Sequence, residues 1–116
     1  MAELGDTSIK FHNWWNAPET WAKIQSIDSS GSHANWMENF PWTRLAHATA
    51  PKGEKPVVDM ALMKACPPGQ ARGILGDGSF GGVWQRDDTD MQAIWDAGVA
   101  ETRSALEGPW AEMNNE

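Results

Sequence analysis

The stretch TSIKFHNWWNAPETWAKIQSI, residues 7–27, decides how the rest of the chain is read. From Thr7 to Trp14 apolar and polar side chains alternate, with Ile9 and Phe11 on one face and Lys10 and His12 on the other, the period of a short β-strand. Asn16 then offers an N-cap, Pro18 fits a first helical turn and Glu19 places an acid at the positive helix end. A helix is therefore predicted from Ala17 to Ile27, its apolar stripe carrying Trp21 and Ile24. A strand running into a helix is the repeating unit of a parallel sheet, and a single strand leaves its own edge hydrogen bonds unmet. The chain reads as half of a domain.

Downstream, Ser29-Ser30-Gly31-Ser32 breaks the first helix and caps a second, predicted from His33 to Ala48 and kinked or divided at Pro41. Thr49 to Pro56 is a polar loop, and Val57 to Cys66 returns to helical spacing with Val58, Leu62 and Met63 on one side. Pro67-Pro68-Gly69 ends or restarts that element, Gln70 to Leu75 offers one more helical turn, and GDGSFGG, residues 76–82, is irregular because four of its seven residues are glycine. The last helix is the clearest. Asp87, Asp88 and Asp90 crowd its start, Met91, Ile94, Trp95, Gly98, Val99, Thr102 and Leu106 keep helical spacing, and Gly108-Pro109 stops it. The expectation is a single partial domain over residues 1–116, with flexible ends at 1–6 and 109–116.

Composition narrows the function classes. With 116 residues there is room for one core. Nine basic residues against sixteen acidic give a net charge of −7 with no Lys/Arg cluster, which argues against binding nucleic acid phosphates. No apolar run reaches the about 18 residues of a membrane span, and the single Cys66 cannot close an internal disulfide, so the expected compartment is the cytoplasm, away from any membrane. Eight tryptophans accompany no tyrosine and three phenylalanines, and five of the eight, Trp14, Trp15, Trp21, Trp36 and Trp42, fall in the first 42 residues. So short a stretch cannot enclose them alone. They line an external partner surface or a ligand cavity, or they form an aromatic core.

The densest chemistry lies in SHANWMENF, residues 32–40. His33 is the side chain type that titrates near neutrality, suited to shuttling a proton, and Glu38 is a carboxylate able to orient it. On a helix the two would not sit above one another, and a single histidine at a helix start also reads as a cap. His12, His33 and His47 form no metal motif, so this chain is expected to hold no metal by itself. GDGSFGG lacks both the Gly-Lys-Ser/Thr ending and the order of a dinucleotide loop, leaving close backbone packing as its reading. Cys66, between Ala65 and Pro67 with Lys64 as its nearest base, has no activating neighbourhood.

WWNAPETW, then SHANWMENFPWTRL, then ACPPGQARGILGDGSFGGVWQRDDTDMQAIWDAGVAETRSALEG resembles, in order and spacing, the C-terminal half of the creatininase (creatinine amidohydrolase) family, over residues 7 to 108. The resemblance implies an α/β fold, the second half of a three-layer α/β/α sandwich with a mainly parallel sheet. It implies hydrolysis of a C–N bond in a small cyclic amide-like substrate with two divalent metal ions, zinc or manganese. His33 matches the family's proton-shuttling histidine, Glu38 the acid in the following turn, and Trp14 and Trp15 the walls of the substrate pocket, with Trp36 as a further ring able to stack on a flat substrate. Two departures stand out. Ser32 occupies the place where the creatininase has an acid, and the family's metal ligands, in a Glu-x-His segment, a downstream Asp and a Gly-His-x-x-Asn segment, belong to the N-terminal half, which is not in this chain.

The residue pattern and the resemblance thus converge on a chain completed by another. A start at Met1 and a polar tail are read as a small subunit of a split enzyme, in a hetero-oligomer of higher order with a complementary N-terminal-half chain that carries the metal ions, a fragment of a longer enzyme being the lesser alternative. The competing reading is a non-catalytic binding or regulatory subunit that uses its Trp-rich face as a protein interface.

Overall fold

The computed structural model describes residue 5 and residues 7–110 of the chain. Two helices organise it. Helix α1 (Pro18–Ile27) starts at Pro18 with Glu19 in its first turn, but its N-cap residue, Ala17, has no side chain to offer the free N–H groups. Those groups are met instead from the far end of the sequence. The last helix of the chain, α4 (Asp88–Glu107), brings Glu101 against them. α4 begins with Asp88 and Asp90 in its first turn and ends at Gly108, whose φ of 112° is open to glycine and strained for other residues.

Between α1 and α4 lies the core. Ile24 from α1, Met91 and Ile94 from α4, and Trp36, Met37 and Phe40 from the intervening loop form one buried cluster, edged by Ile27 and Val83. Gly31 permits this approach: a Cβ there would overlap Ile24 Cγ2 and stand 2.9 Å from Trp36 Cζ2. Two shorter helices, α2 (Met60–Ala65), capped by the Asp59 side chain on Leu62 N, and α3 (Pro68–Leu75), pack on each other and bury no residue fully.

The expected second helix over His33–Ala48 is not formed. Two single 3₁₀ turns, Trp36–Glu38 and Pro41–Thr43, replace it. Ala34 has a left-handed φ of 54°, and Asn35 is extended with its side chain accepting from Met37 N. Pro41 has no N–H, and Phe40 before it is held extended at ψ 144°, as a residue preceding proline prefers. The helix predicted from Val57 starts later, at Met60, and the turn predicted from Gln70 starts earlier, at Pro68.

Among the described residues the sheet consists of two strands, β1 (Glu54–Lys55) and β2 (Gly82–Val83), antiparallel, with Glu54 opposite Val83 and Lys55 opposite Gly82. Among the described residues the strand predicted at Thr7–Trp14 has no strand partner and belongs to no sheet. It is laid along α4 instead. Lys10 Nζ donates to Ala105 O (3.1 Å), His12 Nε2 lies 3.0 Å from Thr102 Oγ1, and Trp14 packs beside Gly98. The ends expected to be flexible lie outside the described residues except for Gly5, Pro109 and Trp110, and Trp110 donates its indole N–H to Leu106 O at 3.0 Å.

No helix among the described residues is long and apolar enough to cross a membrane.

Candidate functional site

The site grows from the turn that follows α1. Asp28 Oδ1 accepts from Ser30 N (2.9 Å) and Ser30 Oγ (2.7 Å), which bends the chain back toward the core. Burial raises the Asp28 carboxyl pKa, but the Ser30 hydrogen bonds and the Arg86 guanidinium outweigh it and hold the group below the usual carboxylate value. Asn35 then binds the turn to the glycine-rich loop. Its buried amide donates to Ser30 O (2.6 Å) and Gly81 O (2.8 Å), and its Oδ1 accepts from Ser32 N (3.1 Å).

GDGSFGG acts as a wall. Phe80 N donates to His33 O (3.1 Å), Phe80 O accepts from Val58 N (2.9 Å), and the Phe80 ring lies 5.0 Å from the His33 ring at a tilt of 57°. Lys55 sets the curvature of this loop, donating to Leu75 O (2.7 Å), Asp77 Oδ1 (2.6 Å) and Ser79 O (2.6 Å). The Lys55 ammonium and the Ser79 N–H hold the Asp77 carboxyl below its ordinary pKa. Gly81, at φ 93°, passes so close to the Pro56 carbonyl that any Cβ would overlap its oxygen. The sequence reading of this loop as close backbone packing matches that geometry.

These contacts place His33 and Glu38 together. His33 Nδ1 is 3.8 Å from Glu38 Oε2, and both side chains are about half exposed, at 59% and 47%. Glu38 is anchored by the N–H of Ala34, which donates to Oε2. The carboxylate is thus held from the backbone at ion-pair range of the imidazole, outside hydrogen-bond length. Ala34, between His33 and Asn35, carries the one positive φ of a non-glycine residue among the described residues, and backbone strain of that kind gathers at sites where side-chain placement matters.

His33 and Glu38 edge a cavity of about 460 Å³ lined also by Trp15, Trp21, Ser32, Met37 and Phe80. That volume suits a small molecule, and the lining is aromatic with polar groups on one edge, as ligand pockets usually are. Of the three tryptophans expected to contact substrate, Trp15 lines this cavity. Trp14 does not. Its ring turns to the other side, 6.0 Å from Phe40, and lines a second groove of about 410 Å³ with Trp95, Val99 and Leu106 of α4. Trp36 is a correction: it is fully buried in the core beneath the Arg86 guanidinium, and no face of its ring is open to a ligand. Its position between Ile24 and Met91 serves packing.

Trp21 and Phe80 were missed as site residues. Trp21 sits one turn before Ile24 on the stripe that pattern alone assigns to the core, and Phe80 is the single large side chain among the four glycines of its loop, the one signal that marked it. Lys55 carries no local signal, because it acts on residues at least twenty positions away, and the same holds for the Asn35 bond to Gly81 O, 46 positions away.

Among the described residues no three His, Cys, Asp or Glu side chains converge where a metal ion could be held. The described residues therefore do not supply the two-ion site that the resemblance implies, and no chemical step of this chain is derived through it. No protein-family model, no curated protein and no solved structure matches the chain.

Proposed function

We propose that this chain is the small subunit of a split, metal-dependent amidohydrolase of the creatininase type, acting on a C–N bond of a small cyclic amide. One observation carries the reading. His33 and Glu38, five apart and not helical, are brought within 3.8 Å at the edge of a cavity of about 460 Å³ walled by Trp15, Trp21 and Phe80.

In this reading a flat ring lies between the indoles of Trp15 and Trp21 and the ring of Phe80, where aromatic faces favour planar partners. Water adds to the amide carbon to give the acid, and as the C–N bond breaks His33, half exposed, delivers a proton to the departing nitrogen, so that an amine and not an amide anion leaves. Glu38, fixed by Ala34 N, stabilises the imidazolium while it carries that proton. The two divalent ions, zinc or manganese, and the remaining strands of a parallel sheet belong to the complementary N-terminal-half chain, in a hetero-oligomer of higher order. A chain with Cys66 as its single cysteine needs no oxidising compartment, and the cytoplasm is its proposed location.

The test is to purify the assembled complex, load it with zinc or manganese, and follow ring opening of small cyclic amides by NMR. Release of the ring-opened amine supports the reading; a metal-loaded complex that opens no such ring refutes it. A second reading, a non-catalytic binding or regulatory subunit, is favoured by the exposed aromatic face of Trp14, Trp42 and Trp95, where Trp42 and Trp95 meet edge to face at 4.8 Å.

A further inference from the structure

We infer that the cavity edged by His33 and Glu38 recognises an organic cation, a methyl-substituted ammonium group, and that the small molecule it takes carries one. Three aromatic side chains line it, Trp15, Trp21 and Phe80. The face of an aromatic ring is its negative side, so rings gathered around one space draw a cation whose own surface is apolar. Elsewhere in the chain such faces are met from within: Lys10 Nζ stands 4.5 Å over the Trp110 ring and the Arg86 guanidinium 5.5 Å over the Trp36 ring. Among the described residues no Lys or Arg covers Trp15, Trp21 or Phe80, and Trp15 and Trp21 are 44% and 36% exposed.

The fixed charge at this cavity is negative. Among the described residues Glu38 forms no ion pair with a Lys or Arg: its Oε2 accepts from Ala34 N and faces His33 Nδ1 at 3.8 Å, and its Oε1 accepts nothing. No Lys or Arg of the described residues lines the cavity. The His33 ring in turn lies 5.0 Å from the Phe80 ring, so the imidazole links the carboxylate to the aromatic wall. A charge that leaves water needs a partner of opposite sign, and Glu38 offers one to a cation and none to an anion. A bare metal ion is not that cation, because it needs several oxygen, nitrogen or sulfur ligands at once, and among the described residues no three His, Cys, Asp or Glu side chains converge. A methylated ammonium fits both features, with its spread charge facing Glu38 and its methyl groups packed on the rings. The net charge of −7 draws cations toward the chain from a distance. At about 460 Å³ the cavity has room for more than an ammonium head group, so the amide ring and the cationic group belong to one molecule. The inference rests on the reading of this cavity as the ligand site, and not on hydrolysis there.

The experiment titrates the full chain with choline and with the tert-butyl analogue of choline, which puts carbon in place of the ammonium nitrogen and keeps the shape. The tryptophan indole N–H signals are followed by NMR. Choline is expected to move the Trp15 and Trp21 signals and to bind about tenfold more tightly than the neutral analogue, a difference that cation–ring contacts and one carboxylate supply. Glu38→Gln keeps an acceptor for Ala34 N and is expected to bring choline down to the affinity of the neutral analogue. Trp15→Leu is expected to weaken choline about fivefold, whereas Trp42→Leu, on the other aromatic face, leaves it unchanged; the remaining indole signals, unmoved without ligand, show that each variant is folded. Equal affinity for the two probes, choline binding undiminished by Glu38→Gln, or no shift at Trp15 and Trp21 each overturns the inference. Hydrolysis is read separately. Choline held in this cavity by a chain whose metal-loaded complex opens no cyclic amide refutes the amidohydrolase reading and leaves the cation site in place; a complex that opens neutral and ammonium-bearing cyclic amides equally well does the reverse.

Discussion

Glu101 and Thr20 join the two ends of the chain: the Glu101 carboxylate on α4 accepts from both the N–H (2.8 Å) and the hydroxyl (2.7 Å) of Thr20 on α1, and from Glu19 N at 2.8 Å. Thr20 is fully buried there. A cap that α1 lacks locally is supplied across 81 residues. Burial of Glu101 raises its pKa, but the three hydrogen bonds and the nearby His12 outweigh that and hold it below the ordinary 4.5.

The sign of the pH dependence follows. A carboxyl whose pKa is lower folded than unfolded stabilises fully above the unfolded value and loses that contribution as pH falls through the folded one. Asp28 and Glu101 act in the same direction. Thermal melts are expected to hold level from pH 7 to about 5 and to drop below about pH 4.5. Glu101→Gln should lower stability at pH 7 by about 1–2 kcal/mol, the usual worth of a helix cap, and flatten the acid limb. An unchanged acid limb in that variant would show that Glu101 does not act as the cap.

In the assembled, metal-loaded complex, His33→Ala is expected to lower kcat by about 10²- to 10⁴-fold, the ordinary contribution of general acid–base help, with assembly and metal content unchanged. Glu38→Gln should cost less, since the amide still accepts from Ala34 N. Turnover normalised to metal-loaded complex checks both, and His33→Ala activity above about a third of the parent's would remove His33 from the proton-transfer role.

Lys55 is expected to act through the loop it holds. Lys55→Met leaves Leu75 O, Ser79 O and the Asp77 carboxylate without their shared donor, so the loop of residues 76–82 should loosen and Phe80 should leave His33. Faster amide exchange at Phe80, with partial recovery in Lys55→Arg, is the expected result. Unaltered exchange would assign the loop's shape to its glycines alone.

Gly31→Ala tests the core from its tightest point. The added methyl meets Ile24 and Trp36 side chains that are both fully buried, and overpacking of this kind costs about 1–3 kcal/mol. A melting point within a degree of the parent's would mean that the α1 turn can shift outward.

Residue pattern alone settled the elements whose causes are local. α1 is fixed by Pro18, Glu19 and the spacing of Trp21 and Ile24, and α4 by its acidic start, its apolar stripe and Gly108, because a first-turn proline, a first-turn acid and a 3.6-residue period act within one or two turns. The same pattern made Thr7–Trp14 strand-like, and side chains there do alternate, but a strand exists only where a second chain segment pairs with it. Tertiary structure decided the rest. Helical spacing predicted a helix over His33–Ala48 that would have turned His33 and Glu38 apart; Asn35, bonded to Ser30 and Gly81, and Ala34 in its left-handed conformation unwind it and bring the pair together. Trp14 and Trp15 are neighbours in sequence and face different cavities, and Trp36 is enclosed by Ile24 and Met91, because which side of a tryptophan is covered depends on helices 20 to 90 residues apart meeting in space. Contacts of that range have no local signature, since any of several tryptophans could satisfy the same burial until the packing of α1 on α4 selects one.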